Sequence, residues 1–440
     1  MYANASLIFA LLIIAHYHHQ GTLFMRILVI TNYYPPFEQG GWGQLTYDVV
    51  QQLKSRGHEV LVLTSQHRRD ELPASEEGVE RTLFLESPDH IHYKMKYTLA
   101  YRREEAANKR IVAHCCRKFA PDVVYVNGMW NLPVCVAQTA ESCLPGRVAY
   151  YMASYWPAEQ DAHSAFWQDL PDGWKRLPKQ LVGRVLVNWW LKPAARNQLD
   201  FRVVMCVSDY LRRRIVAEAG IPEERTRVVY NGIDLADFPL RPLPAHTNNP
   251  RTLKLLYAGR FHPDKGVHTI IESLGHLWQQ TPSLPISVTL VGKGTPAYEE
   301  ELRNLVQKLG VAKWIIFKPF VAREKMPAIL REHDALIFPS IWPEPLARMV
   351  QEAMASGLIV IGTTTGGTPE ILQDGRNGLT FTAGDATMLT EKILWLTQNQ
   401  DQWQNLAQTA RKTVEQHFTL SRMVNELEVQ FNQLIQAKVS

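Results

Sequence analysis

Short runs rich in β-branched and aromatic residues alternate along this chain with longer stretches whose apolar positions recur at helical spacing. In the first half the runs are Ile27–Thr31, Val60–Thr64, Val123–Val126, Val148–Tyr151, Arg202–Val207 and Val228–Tyr230. Tyr47–Arg56 and Leu211–Ala219 read as helices between them, closed by Gly57 and Gly220, since glycine just past a helix end is a common stop. Ser208 precedes the second of these helices and suits an N-cap. Residues 239–250 carry four prolines and two asparagines without hydrophobic periodicity and read as a linker. The alternation then restarts with Lys254–Gly259, Ser287–Val291, Trp314–Phe317, Ala335–Phe338, Leu358–Gly362 and Leu379–Phe381. Strand and helix in alternation predict parallel sheets covered by helices, an α/β protein of two Rossmann-like units. The C-terminal edges of such sheets are where ligands bind, so the cleft between two such edges is the expected site. The last stretch, 420–437, has helical period and is expected to pack back across the domain junction.

Length and charge narrow this picture. A chain of 440 residues suits two domains of about 200 residues each. The expected division is an N-terminal extension at 1–24, a first domain at 25–238, the linker at 239–250, a second domain at 251–418 and a helix at 419–440. Hydrophobic residues at 46% and charged residues at 20% are globular proportions. A net charge of +4 gives no sign of a nucleic-acid binder. The five cysteines, Cys115, Cys116, Cys135, Cys143 and Cys206, form no Cys-x-x-Cys pair and read as reduced packing residues in a cytoplasmic protein. Leu7–Ala15 is an apolar run too short to span a bilayer, with no Lys or Arg before it. Met25 opens a buried first strand at once, so residues 1–24 are either a dispensable extension or a membrane-associated segment. Val182–Leu191, with Trp189-Trp190 beside Lys192, reads as a core helix, with docking to a membrane surface as the alternative. The Arg212-Arg213-Arg214 run reads as a solvated helix face, with contact to anionic lipid as the alternative.

Chemistry concentrates in Pro343-Glu344-Pro345-Leu346-Ala347-Arg348 and the residues up to Gly357. Pro345 suits the first position of a helix. The free N–H groups of Leu346, Ala347 and Arg348 would then form an anion site. Glu344 stands just ahead and Glu352 eight residues later, about 12 Å along a helix axis, so one carboxylate could reach a sugar and the other a ribose. Arg260 and Lys265 lie on a Gly/Pro turn directly after a strand, placed to hold a diphosphate with a planar fork and a movable point charge. No Asp-x-Asp occurs, so no divalent metal is expected to bridge the diphosphate, and no cofactor is implied.

These pieces resemble the family 4 retaining glycosyltransferases of the GT-B fold over about residues 25–418. The specific part is Glu-x7-Glu at Glu344 and Glu352, followed by Gly366-Gly367-Thr368-Pro369-Glu370 and Asp374-Gly375-Arg376-Asn377-Gly378. Asn231-Gly232-Ile233-Asp234, Pro35-Pro36 and Gly40-Gly41 support it. The resemblance implies a nucleoside-diphosphate sugar as donor substrate, transferred with retention to a carbohydrate or lipid-linked acceptor. Peripheral contact with a membrane face is a separate expectation, from the Trp189-Trp190 stretch and the arginine run. The resemblance also implies that Arg260 and Lys265 bind the diphosphate, Glu352 the ribose and Glu344 the donor sugar. Gly41 would close over the phosphates, and Val321 would touch the base through its backbone. Many members carry a His-Asp pair where Ala153 and Ser154 stand here, and Asn127 occupies a position where a His is common. His163 is a weak substitute, with helix packing or solvent exposure as its other reading. The acceptor is expected to be set by residues 66–103 and 156–196. The absence of Gly-x-Gly-x-x-Gly after the first strand disfavours a nicotinamide dehydrogenase. Glu-x7-Glu favours transfer over an epimerase or phosphorylase of the same shape, and a silent nucleotide-sugar binder remains the alternative.

Overall fold

The computed structural model describes residues 24–37, 41–73, 76–87, 93–169, 176–191, 198–241 and 252–437. The extension at 1–23, Gly40, Lys192 and most of the linker lie outside the described residues. The chain divides into two compact units. One runs to Cys206 and takes in Arg212–Val229 and the residues from Val424 onward; the other comprises Val207–Leu211 and Tyr230–Met423.

The first unit is built on seven parallel strands: β1 (Arg26–Ile30), β2 (Glu59–Ser65), β3 (Val79–Leu83), β4 (Val123–Asn127), β5 (Val148–Met152), β6 (Val203–Cys206) and β7 (Thr226–Val228), in the order β3-β2-β1-β4-β5-β6-β7. β4 and β5 are buried along their whole length, which is why they read as unbroken apolar runs rather than alternating ones. β3 is the strand that periodicity misses, because Val79-Glu80-Arg81-Thr82-Leu83 is half charged or polar and lies at the sheet edge. The predicted run Val228–Tyr230 lies two residues late, pairing ending at Val228. The helices of this unit are α1 (Trp42–Ser55), α2 (Met95–Phe119), α3 (Cys135–Cys143), α4 (Ala162–Gln168), α5 (Arg176–Val185), which runs on into a π-helical turn at Leu186–Leu191, and α6 (Asp209–Ala219), of which only the part from Arg212 groups here. In α1, Leu45, Val49, Val50 and Leu53 form one buried stripe.

The second unit holds six parallel strands: β8 (Leu253–Ala258), β9 (Ile286–Val291), β10 (Ile315–Lys318), β11 (Ala335–Phe338), β12 (Ile359–Thr363) and β13 (Leu379–Phe381), in the order β10-β9-β8-β11-β12-β13. Its helices are α7 (Val267–Gln280), α8 (Pro296–Lys308), α9 (Met326–Arg331), α10 (Arg348–Ala355), α11 (Ala386–Gln398) and α12 (Trp403–His417). In α7, Val267, Ile270, Ile271, Leu274 and Leu277 line the core with Leu255, Val288 and Ile337 from the sheet. The last helix, α13 (Leu420–Gln436), starts in the second unit, but from Val424 onward it packs with the first. Phe431 lies 5.3 Å from the Tyr125 ring, and Glu428 meets Arg56 at 2.6 Å and His58 at 2.8 Å.

Two expectations fail. α5 and the turn after it are not a core helix: Leu177, Leu181, Val185 and Trp189 are 69%, 65%, 64% and 78% exposed. Only Gly183 and Leu191 are buried there, with Leu186 and Val187 partly so. The stretch carries more apolar residues than its one packed face can cover. The Arg212–Arg214 run is not a uniformly solvated face either. Arg212 pairs with Glu223 at 2.8 Å, and the Arg214 guanidinium lies 5.0 Å over the Tyr155 ring. All five cysteines are free and four are buried; burial pushes the Cys135 thiol up to about 12.

Candidate functional site

In the second unit, three loops after neighbouring strands are tied together by backbone hydrogen bonds. After β8, the N–H of Gly259 donates to the Val291 carbonyl at 3.0 Å and that of Phe261 to Lys293 at 2.9 Å, joining this loop to the one after β9. The Tyr257 hydroxyl donates to the Arg260 carbonyl at 2.8 Å. Arg260 itself is exposed, and among the described residues its guanidinium has no ion-pair partner. A 3-10 turn at Pro263–Lys265 follows. The Asp264 carbonyl accepts from the N–H groups of Ile341 and Trp342 at 2.8 and 2.9 Å, which fixes the loop after β11. Gly266 adopts φ +66° with its missing Cβ position 2.1 Å from the Pro339 oxygen, so only glycine fits there.

This stitching brings Lys265 and Glu344 into an ion pair, with 22% and 21% of the two side chains exposed. Ser340 Oγ sits 3.4 Å from Glu344 Oε1. The backbone of Glu344 is held from β12's side. Gly367 donates to its carbonyl at 2.8 Å, and Gly366, at φ +60°, brings its Cβ position to 2.1 Å from the same oxygen.

Glu344 is not on the helix, and Pro345 is not its first residue. α10 starts at Arg348, with Ala347 as an extended N-cap at φ −80° and ψ 113°. Proline disfavours helical geometry in the residue before it, which keeps Glu344 out, and Pro345 and Leu346 bend the chain before the extended Ala347. The eight-residue separation therefore does not run along one helix axis. Leu346 and Ala347 remain relevant in another way. Both are buried, and no acceptor among the described residues takes their N–H groups. These donors stand just ahead of the positive end of α10.

Glu352 lies within α10 and is 2% exposed. Its Oε1 takes Arg323 at 2.7 Å and lies 3.7 Å from Arg348 Nε. Arg323 comes from the loop after β10, two residues beyond Val321, which is half-buried. Sequence reasoning missed Arg323, although a cation two residues past the expected base contact was the available signal. Arg260, Lys265, Val321, Glu344, Leu346, Ala347 and Glu352 all belong to the second unit. Gly41 belongs to the first, where it is the N-cap of α1. Other residues of the family pattern brace the unit instead. Glu370 accepts from the N–H groups of Asp209 and Tyr210, both at 2.8 Å. Asn377 closes its own turn onto Gln373 and Ile371, and Gln351 donates to the Asn231 side chain at 2.8 Å.

In the first unit, Ala153 and Ser154 are half-buried and bring no ring to the edge of the sheet. Asn127, at the end of β4, is fully buried, and neither its amide oxygen nor its nitrogen finds a partner among the described residues. His163 packs inside α4's contacts at 3% exposure, hydrogen-bonded to the Tyr93 hydroxyl, and burial holds its pKa down at about 4. It is a helix-packing residue. Beside it opens a cavity of about 450 Å³, walled by Tyr93, Trp130, Trp156 and Phe166 with Glu86 and Glu159. Its lining draws on both segments expected to set the acceptor.

Two family descriptions match nearly end to end: Glycosyltransferase Family 4 over residues 39–237 and Glycosyl transferases group 1 over residues 244–413. The chain belongs to the family 4-type glycosyltransferases of the GT-B fold. Among curated relatives, it is 26% identical over 245 residues to spore coat protein SA of Bacillus subtilis, covering 51% of this chain and 63% of that protein. The chain thus spans less than two thirds of that relative's length. It is 25% identical over 407 residues to a glycogen synthase of Mycobacterium tuberculosis, covering 90% of this chain and 91% of the other. Anabaena HepE in complex with UDP and glucose shares the fold, with a TM-score of 0.65 at 20% identity over 93% of this chain and 99% of that one.

Proposed function

We propose that this chain transfers a glycosyl group from a nucleoside-diphosphate sugar to a carbohydrate or lipid-linked acceptor, with retention at the anomeric carbon and without a divalent metal. The observation that carries the reading is the grouping of Lys265, Glu344 and the unclaimed N–H groups of Leu346 and Ala347 around one helix start, with Arg260 uncommitted nearby. Arg260 and Lys265 take the diphosphate, Lys265 exchanging Glu344 for a phosphate oxygen. Glu344, released, accepts from the donor sugar's hydroxyls. Glu352 and the Val321 backbone serve the nucleoside, with Arg323 fixing the Glu352 carboxylate. Donors set where negative charge develops supply most of the acceleration, about 10²–10⁴ in rate for two charge-assisted contacts.

In the step itself, the bond from the anomeric carbon to the phosphate oxygen breaks and a bond to the acceptor oxygen forms on the same face. The acceptor's proton passes to the departing phosphate oxygen, so no carboxylate behind the sugar is needed. Two cations and the N–H donors take the charge a metal would otherwise neutralise. The aromatic walls and carboxylates of the first-unit cavity suit an acceptor sugar, rings against its C–H faces and acids on its hydroxyls. The free cysteines suit a cytoplasmic setting, where such donors are made.

Ala153 favours a second reading, a nucleotide-sugar binder without turnover, because the ring that many members place on the donor sugar is missing. Anomeric-proton NMR of donor and product, across a panel of nucleotide sugars and acceptors in chelator, separates the two. Retained configuration without metal is the expected result. An inverted product, or turnover that requires Mg²⁺ or Mn²⁺, overturns the mechanism; tight donor binding with no product from any acceptor establishes the binder.

A further inference from the structure

Leu177, Leu181, Val185 and Trp189 recur at every fourth position through α5 and the π-helical turn, and each is at least 64% exposed. Isolated exposed apolar side chains are ordinary; four in register along one helical segment are not. The stripe is held outward by its opposite face. Gly183 lies against Trp167, where an added Cβ would come within 3.0 Å of the Trp167 carbonyl. Leu191 packs with Trp167 and Tyr101. The Trp190 indole donates to the Thr98 carbonyl at 2.9 Å, and Arg102 donates back to the Trp190 carbonyl at 2.6 Å. That pair of bonds sets the π-helical turn beside the start of α2, where Met95 and Leu99 are 48% and 67% exposed.

The charges around this surface are predominantly positive, with Asp169, exposed at the end of α4, as the acid beside Lys179. Residues 176–191 contain Arg176, Lys179 and Arg184 and no acid. Residues 93–103 contain Lys94, Lys96, Arg102 and Arg103 and no acid. Glu104 and Glu105 follow and offset two of these, pairing with Arg103 at 3.7 Å and Arg102 at 3.9 Å. Among the described residues no helix is long and apolar enough to cross a bilayer, so a membrane would be met from its surface.

We propose that this face docks on an anionic phospholipid bilayer, with Leu177, Leu181, Val185 and Trp189 entering the headgroup boundary and the cations around them meeting lipid phosphates. An exposed apolar stripe with tryptophan and flanking Lys/Arg is the arrangement that lies in such an interface. A second copy of the chain fits less well. A two-fold contact sets the same patch against itself and would bring the same cations together. The inference is independent of the transferase chemistry, because its readout is binding.

The test is co-sedimentation of the full chain with phosphatidylcholine vesicles and with vesicles containing about one-third phosphatidylglycerol, a content that gives a strongly negative surface. The chain is expected to sediment with the anionic vesicles, to be released by high salt, and to leave neutral ones largely unbound. Leu181→Ser with Trp189→Ser, and separately Arg176→Glu with Arg184→Glu, should each reduce binding at least about tenfold. The thermal transition and UDP affinity should stay unchanged, since all four side chains are exposed. Equal binding to both vesicle types, no binding to either, or full binding by both variants overturns the proposal. Sedimentation velocity showing a dimer that Trp189→Ser dissociates assigns the face to a second copy and overturns it as well.

Discussion

Lys265 and Glu344 are 79 positions apart in sequence, and they meet because glycine permits two backbones to approach more closely than any side chain would allow. Gly366 is the sharper case, combining φ +60° with a carbonyl where a Cβ would stand. Gly366→Ala is expected to destabilise the protein by roughly 1–3 kcal/mol and to weaken nucleotide binding beyond what the fold loses. A thermal scan and a UDP titration on the same sample check this; an unchanged affinity would show that the position of Glu344 does not depend on the glycine. His163 makes a prediction about pH. The native ring titrates near 4 and the unfolded one near 6.5, so between those values the unfolded chain binds the extra proton. Stability is therefore full above pH 6.5 and is lost as pH falls toward 4, by up to about 3 kcal/mol. Unfolding in urea at pH 7 and pH 5 should show about 2 kcal/mol of this loss, and His163→Phe should reduce it; an equal loss in the variant would assign the acid sensitivity elsewhere. At this scale the chemical types were legible in the sequence and their partners were not. Glu344 and Glu352 stand out by spacing, whereas the pairing of Glu352 with Arg323 is a contact across 29 positions that no local pattern encodes.

Elements were legible where one periodicity dominated. β11 and β13 fall where their apolar runs predict them, and the helix read at Leu211–Ala219 lies within α6. The start of α10 was misread because proline suits the first turn of a helix in general, while here Pro345 and Leu346 bend the chain before the helix begins. The exposed face of α5 was misread because hydrophobicity along a helix does not say whether a partner surface is available. The C-terminal helix α13 makes its own prediction. Glu428 is 3% exposed and bonded to Arg56 and His58, both from the first unit's α1–β2 corner. Glu428→Leu should cost roughly 3 kcal/mol, because two polar partners lose their buried acceptor. Equilibrium unfolding measures it, and a loss below about 1 kcal/mol, the range of exposed ion pairs, would show that water replaces the carboxylate.

For the whole molecule, strand–helix alternation carried the fold class, since each parallel strand needs a covering helix and both halves of the sequence repeat that need. It could not reveal that Val207–Leu211 groups with the second unit or that the chain's end from Val424 groups with the first, because both depend on long-range packing. The account as a whole rests on one claim, that the second unit binds a nucleoside diphosphate through Arg260 and Lys265. Titration calorimetry with UDP and GDP tests it most directly, on the full chain and on Arg260→Ala, Lys265→Ala and, as a control, Lys392→Ala, whose partner is Asp374. The account predicts that at least one nucleotide binds, that the first two substitutions each weaken it about 10- to 100-fold, the loss of one charge-assisted contact, and that the control leaves it unchanged. Equal affinity in all four proteins, or no binding of either nucleotide, would contradict it.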